Sequence, residues 1–333
     1  MNARLRIGVV GAGKVLERYH VPAIKGVPEV VRSIIVDADE ERARHAAERF
    51  NFPKWSADIA DIARHADLAL VLVPNGLHAK VSCELLAQGI HVLCEKPMAR
   101  NVDECMSMIE ASQRGGAVLC VGHNRRFRGH LWTARQFLRR GLIGDLVSIF
   151  AEEGSTSDWP RSAAYFDPGQ SGGGALMDVG IHAIDLIRWV AGEFADIEYR
   201  GDGTATTVES EAEMTFRIAN GATGTLTASR KRELAQRITF NGSSGFVEAG
   251  LWVPSLRIRA AKGKAFHNFP HLDIAVPRRP PQDASFVEQL RNFVLAVRGE
   301  EKLLVDGAEG MANVDVVCRA YSGQASGALS PAD

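Results

Sequence analysis

Residues 5–13, Leu-Arg-Ile-Gly-Val-Val-Gly-Ala-Gly, carry a short apolar run straight into a pair of glycines. A continuous apolar run, unlike an alternating one, fits a strand buried on both faces. The texture recurs downstream. Residues 33–36 (SIIV) close on Asp37, residues 68–73 (LALVLV) on Pro74-Asn75-Gly76, and residues 90–94 (IHVLC) on Glu95-Lys96-Pro97. A fifth run occupies residues 117–121, and helix-length segments at 39–50, 78–88 and 102–114 separate the runs. Buried strands alternating with helices predict an α/β domain with a doubly wound parallel sheet over residues 1–122.

The turn after the first strand holds Gly11 and Gly13, followed by Lys14 and Val15. Glycines here permit a tight turn and let backbone N–H groups approach a pyrophosphate at a helix N-terminus, so these four residues are candidate dinucleotide contacts. A lone G-x-G is equally an ordinary turn, and Leu16 stands where a third glycine would bring helix and strand closer. Two features favour the nucleotide reading: the turn belongs to the first strand-turn-helix unit, and Asp37 ends the second strand. A carboxylate there accepts hydrogen bonds from an adenosine ribose and repels a 2′-phosphate, which favours NAD over NADP. The competing role for Asp37 is a helix N-cap ahead of Asp39-Glu40-Glu41, and the two roles are compatible.

Beyond residue 122 the pattern changes. Residues 123–141 read as one basic helix ending at Gly141. Alternating strands follow at 146–155, 196–205, 211–221, 222–231, 235–245, 245–253 and 255–264. Asn220-Gly221 and the run from Asn241 to Gly245 read as hairpin turns. This predicts an α+β domain over residues 123–333 with a large, open, mostly antiparallel sheet. An open face of that kind pairs readily between subunits, so a homo-oligomer (dimer or tetramer) through this sheet is expected. Residues 276–282 (VPRRPPQ) read as a surface loop, and residues 286–298 and 308–325 as closing helices.

The bulk numbers narrow the partners. A length of 333 residues suits about two domains. A net charge of −1 gives no basic footprint for nucleic acid. Five cysteines without a C-x-x-C pair suggest reduced, buried thiols. Glycines interrupt the N-terminus before any signal-type apolar region, and no run reaches the ~18 apolar residues of a membrane helix. A soluble, cytoplasmic protein without a membrane partner is expected.

One segment interrupts the strands: Gly172-Gly173-Gly174, then Asp178, His182 and Asp185 among mostly apolar residues. At 100° per residue these three titratable groups fall within about 60° on one helical stripe. Leu176, Ala183, Ile187 and Val190 take the opposite side. Either aspartate can then bond the His182 ring, fix its tautomer and raise its basicity. A histidine so held can take a proton from a hydroxyl as hydride leaves the same carbon. The bland alternative is a satisfied core histidine with loop-capping aspartates. A metal site lacks a fourth ligand, and none is expected.

At this point the ordered set of motifs resembles the glucose–fructose oxidoreductase/inositol dehydrogenase/MocA family. The resemblance rests on Glu95-Lys96-Pro97 with Gly172-Gly173-Gly174-x-x-x-Asp178-x-Gly180-x-His182-x-x-Asp185. Pro74-Asn75-x-x-His78, Gly89 to Pro97, Arg126-Phe127 and Gly141-Leu-Ile-Gly144 add to it, so it covers nearly the whole chain. It implies an N-terminal Rossmann domain and a C-terminal open-sheet domain. Lys96 would hydrogen-bond the reacting oxygen, His182 would serve as general base or acid, and Asp178 would orient His182. Asp185 would bind substrate or tune the pair, and the Lys96–Pro97 peptide would be cis. Pro74, Asn75, His78, Glu95 and Lys96 would line the cofactor, although His78 fits equally as a helix-opening residue. Trp159, Arg161 and Tyr165 precede the triple glycine, where an aromatic face could stack on a sugar ring or simply pack. Arg126 reads equally as a substrate contact and as a structural ion-pair residue. The implied activity is NAD(H)-dependent hydride transfer at a CH–OH/C=O carbon of a sugar, inositol or sugar derivative. The rivals are a glycoside-cleaving enzyme that retains NAD, and a non-catalytic NAD-binding sensor.

Overall fold

Six strands of the first sheet lie in the order β3-β2-β1-β4-β5-β6, every neighbouring pair parallel. They are β1 (Leu5–Val10), β2 (Val30–Val36), β3 (Lys54–Ser56), β4 (Leu68–Val71), β5 (His91–Cys94) and β6 (Leu119–Val121). The helices between them are α1 (Val21–Gly26), α2 (Glu40–Phe50), α3 (Ala60–His65), α4 (Asn75–Ala87) and α5 (Val102–Gly115). Strand order reverses between β1 and β4, the point where doubly wound sheets take ligands beyond their carboxyl ends. The central strands are covered on both faces: Ile7, Val9, Ile35, Leu68, Leu70 and Leu93 have no exposed surface. Leu16 is also fully buried, and the chain enters α1 through a wider π turn, Leu16–His20. The edge strand β3, absent from the sequence expectation, has three residues and no buried side chain.

The computed structural model describes residues 3–156, 165–204, 206–260, 272–274 and 284–323. The chain divides into two units, residues 1–124 with 280–314 and residues 125–279 with 315–333. The expected boundary, a second domain running unbroken from 123 to 333, is thereby modified: the chain returns to its first unit. The reason is apolar coverage. The helix from Ala284 to Val297 sends Leu290, Phe293 and Val294 into the core that holds Ile7, Val9 and Leu70.

The second unit begins within a 3₁₀ turn, Asn124–Phe127, followed by α6 (Gly129–Arg139). The single basic helix expected over 123–141 is therefore broken, and Arg125 and Arg126 turn inward to buried carboxylates. Next come β7 (Leu146–Gly154), α7 (Pro168–Ser171), a π turn (Leu176–Gly180) and α8 (Ile181–Ala191). The remaining strands are β8 (Phe194–Gly201), β9 (Glu211–Ile218), β10 (Thr223–Ser229), β11 (Arg237–Gly242), β12 (Gly245–Gly250), β13 (Leu256–Ala260) and β14 (Leu272–Ile274). The helix that returns to the first unit is α9 (Ala284–Val297), and α10 (Gly307–Ser322) follows it.

The second sheet runs β14-β13-β12-β11-β7-β10-β9-β8, antiparallel throughout except for the parallel pair of β7 with β10. Burial alternates along β9 and β10, as a sheet with one covered face demands. Val147 and Phe150 of β7 are exposed apolar side chains. Residues 276–282, expected as a surface loop, and the end of the closing helix beyond 323 lie outside the described residues. Among the described residues no helix is long and apolar enough to cross a membrane.

Candidate active site

In the first unit the functional candidates gather at the carboxyl ends of β1, β2, β4 and β5. Gly11 donates its N–H to Val36 at 2.8 Å and holds φ at +102°, where an added Cβ would stand 2.6 Å from the Leu72 carbonyl oxygen. Only glycine fits there. Around Gly13 the reverse holds: among the described residues, its chain neighbours aside, no atom lies within 4 Å of an added Cβ. Lys14 is exposed and Val15 half-buried at the start of the π turn. Asp37 accepts the Ala12 N–H on Oδ2 at 2.8 Å, the Asp39 N–H on Oδ1 at 3.0 Å and Arg42 Nη2 on Oδ1 at 2.8 Å. Burial pushes the Asp37 carboxyl up, but Arg42 and the two backbone donors outweigh it and hold the carboxyl below its ordinary range. The helix cap is Asp39 itself, which accepts the Arg42 N–H. An open glycine turn and a carboxylate after β2 fit the pyrophosphate and ribose of a dinucleotide.

Pro74 is exposed ahead of α4, and Asn75 opens that helix. His78 requires a correction: 1% exposed, it directs Nδ1 at the Pro97 carbonyl (2.7 Å) and Nε2 at the Val73 carbonyl (2.9 Å). With the ring closed in, its partners are the protein's own backbone rather than a cofactor. Burial pushes its pKa down against the opposing pull of those carbonyls and of Glu95. The Lys96–Pro97 bond is cis, as the resemblance implies, and Lys96 is half-buried. Glu95 likewise serves its own unit: His20 Nε2 lies 2.8 Å from Oε1, and the Lys96 N–H donates to Oε2 at 3.2 Å. Burial would raise the Glu95 pKa; His20, then the Lys96 charge and N–H, overcome it and hold the carboxyl low.

In the second unit the triple glycine makes room for a carboxylate of the chain. Glu209 accepts N–H groups of Gly174 (3.0 Å) and Leu176 (2.9 Å) and the hydroxyl of Tyr321 (2.8 Å). A Cβ on Gly174 would overlap the Glu209 carbonyl oxygen, and one on Gly173 would overlap the Tyr321 ring. Glu209 thus ties down the first N–H groups of the helical segment bearing Asp178 and His182. Its own pKa is raised, chiefly by burial, against these donors and Arg230.

From Ile181 to Trp189 every residue except His182 is buried. Asp178, four residues earlier, is also half-exposed and receives the Tyr165 hydroxyl on Oδ2, with Arg230 Nη2 3.4 Å from the same oxygen. The Arg230 guanidinium lies 3.9 Å above the Tyr165 ring, so ring and guanidinium clamp the carboxylate together. Asp185 leaves the expected stripe. It is 1% exposed and takes both Nε and Nη2 of Arg126, itself 2% exposed. The assignment of Asp185 and Arg126 to substrate is corrected, because each is sealed in the interior against the other. Arg125 and Glu153 form a second buried pair beside them in sequence. Trp159 and Arg161 lie outside the described residues.

Sequence reading missed Arg42, His20, Glu209 and Arg230. Arg42 sits five residues past Asp37, a spacing visible in the sequence; the other three meet their partners only through the fold.

These features define a class, oxidoreductases that hold a dinucleotide on a Rossmann sheet. Residues 5–123 match the oxidoreductase family with an NAD-binding Rossmann fold, and residues 131–248 match the GFO/IDH/MocA C-terminal domain. The chain belongs to the GFO/IDH/MocA oxidoreductase family. It is 27% identical over 264 residues to a levoglucosan dehydrogenase of Pseudarthrobacter phenanthrenivorans, covering 68% of this chain and 67% of that one. It is 26% identical over 321 residues to the myo-inositol 2-dehydrogenase of Thermotoga maritima, covering 92% of each. Among solved structures, the aldose-aldose oxidoreductase of Caulobacter crescentus complexed with glycerol shares the fold. There the TM-score is 0.84 at 22% identity, over 96% of this chain and 97% of that one.

Proposed function

We propose that this protein is an NAD(H)-dependent dehydrogenase or ketoreductase that acts on a CH–OH/C=O carbon of a sugar, inositol or sugar derivative. The observation that carries the reading is that His182 alone is only partly buried along the otherwise buried run from Ile181 to Trp189, one turn from a clamped Asp178. A histidine left partly accessible in so apolar a segment fits proton exchange with a ligand better than core packing.

When bound, the nicotinamide supplies the hydride acceptor or donor. The chain supplies the rest. Gly11, Gly13, Lys14 and Val15 hold the pyrophosphate end, and Pro74 and Asn75 flank the cofactor. Asp37 meets the ribose and favours NAD. His182 takes the hydroxyl proton during oxidation and returns it during reduction. The Lys96 ammonium stabilises alkoxide charge as it develops. Asp178, held between Tyr165 and Arg230, orients the histidine one turn further on. His78 and Glu95 fix the backbone on either side of Lys96. The sugar and inositol dehydrogenases among its relatives support the substrate class. The exposed Val147 and Phe150 support association of copies through the second sheet.

The test is a near-ultraviolet absorbance screen of sugars, inositols and their keto forms with both oxidised and reduced cofactors. Turnover with NAD(H) is expected, falling roughly 10²–10⁴-fold in His182→Ala. Turnover that survives in His182→Ala unchanged refutes the assignment of the proton-transfer role.

A further inference from the structure

Asp37 is not the bare carboxylate that discriminates against a 2′-phosphate. Ala12 and Asp39 N–H groups and the Arg42 guanidinium all end on it. An ionised carboxylate offers about four acceptor directions, so a ribose diol finds one open and must displace Arg42 for a second. Arg42 is able to move. It stands in the first turn of α2 with its side chain 53% exposed, and its other acidic neighbour, Asp39 Oδ2, is 3.8 Å away. A guanidinium is a forked donor suited to phosphate, and beside Asp37 it cancels most of the charge that would repel one.

We propose that Arg42 sets the cofactor discrimination of this chain: it turns from Asp37 to a 2′-phosphate and so admits NADP(H) alongside NAD(H). Asp37 and Asp39 still tilt the balance toward NAD(H), but Arg42 keeps that tilt small. The inference deepens, and rests on, the reading of the first unit as a nicotinamide dinucleotide site.

Direct binding tests it without any substrate, by titrating the full-length chain with NADH and with NADPH and following nicotinamide fluorescence. The wild-type affinities are expected to lie within about tenfold of each other. Arg42→Ala is expected to weaken NADPH about tenfold, the loss of one charge-assisted contact, and to change NADH less than about twofold. Arg42→Lys retains the charge without the fork and falls between. Asp37→Ser moves the ratio the opposite way, toward NADPH. Equal weakening of both cofactors in Arg42→Ala would mark a contact with their shared adenosine and overturn the proposal. So would an unchanged ratio, or a wild-type chain that rejects NADPH outright. Failure of the wild type to bind either dinucleotide overturns the reading of the first unit as well. The outcomes are thus separable, and unfolding temperatures of the variants confirm that the surface changes leave the chain folded.

Discussion

The two glycine runs of this chain answer to different neighbours. At Gly11-Ala12-Gly13 the first glycine is forced by backbone, its φ of +102° set against the Leu72 carbonyl, while a Cβ on Gly13 would meet no described residue within 4 Å beyond its chain neighbours. At Gly172-Gly173-Gly174 the space is already taken, by the Tyr321 ring and by Glu209. One run leaves its second glycine uncovered; the other admits the chain's own carboxylate, which anchors the helical segment of His182. Glycine-rich sequence therefore marks close approach in both places without saying what approaches. The regions also differ in their electrostatics. At Asp37 two backbone donors and the nearby Arg42 converge, whereas the second region relies on buried long-range pairs such as Arg126 with Asp185 and Arg125 with Glu153.

That contrast can be broken by substitution. The largest effect is expected in the second region: Asp185→Ala strands the buried Arg126 charge and should cost about 3–5 kcal/mol of stability by denaturant unfolding. Exchanging both partners for apolar residues of similar volume should recover much of the loss. A small change in Asp185→Ala would show that the pair does not hold the region. Next comes Gly174→Ala, where overlap with Glu209 should remove about 1–3 kcal/mol and lower the unfolding temperature.

Gly13→Ala sharpens the comparison from the other side. Its added methyl meets none of the described residues beyond its chain neighbours, so stability should change by under about 0.5 kcal/mol. NADH affinity should nevertheless fall about tenfold, or about 1.4 kcal/mol, by fluorescence titration. A destabilised Gly13→Ala protein would erase the distinction between the two runs.

The smallest effect is a pH dependence at Asp37. Its carboxyl is held below the ordinary range, so the folded chain binds this proton less readily than the unfolded one. The stabilisation is present at neutral pH and is lost as pH falls below about 4. The difference in unfolding temperature between wild type and Asp37→Asn should close over that acidic window. A gap that stays constant with pH would show that the three donors do not favour the ionised form.

Legibility divided along the same line. The strands buried on both faces, β1, β2, β4 and β5, announce themselves as continuous apolar runs, and the turn glycines and Asp37 stand at their ends. The edge strand β3 carries no such run and was invisible. In the second unit a periodicity argument grouped Asp185 with His182 and Asp178, although Asp185 is buried and the other two are not, because an angle around a helix does not say which flank is sealed. Arg126 meets Asp185 across 59 positions, and Glu209 meets Gly174 across 35. Nothing local in the chain encodes such pairings. The return of α9 was missed for the same reason, since its apolar face is compatible with any core.

That return has a bearing on biosynthesis. All six strands of the first sheet are synthesised before residues 125–279, yet Leu290, Phe293 and Val294, which complete their hydrophobic cover, arrive only afterwards. Vectorial folding of the nucleotide-binding half is thus expected to wait on the far side of another unit's synthesis. A fragment ending at Asn124 should expose sticky, dye-binding surface in proportion to the cover it lacks.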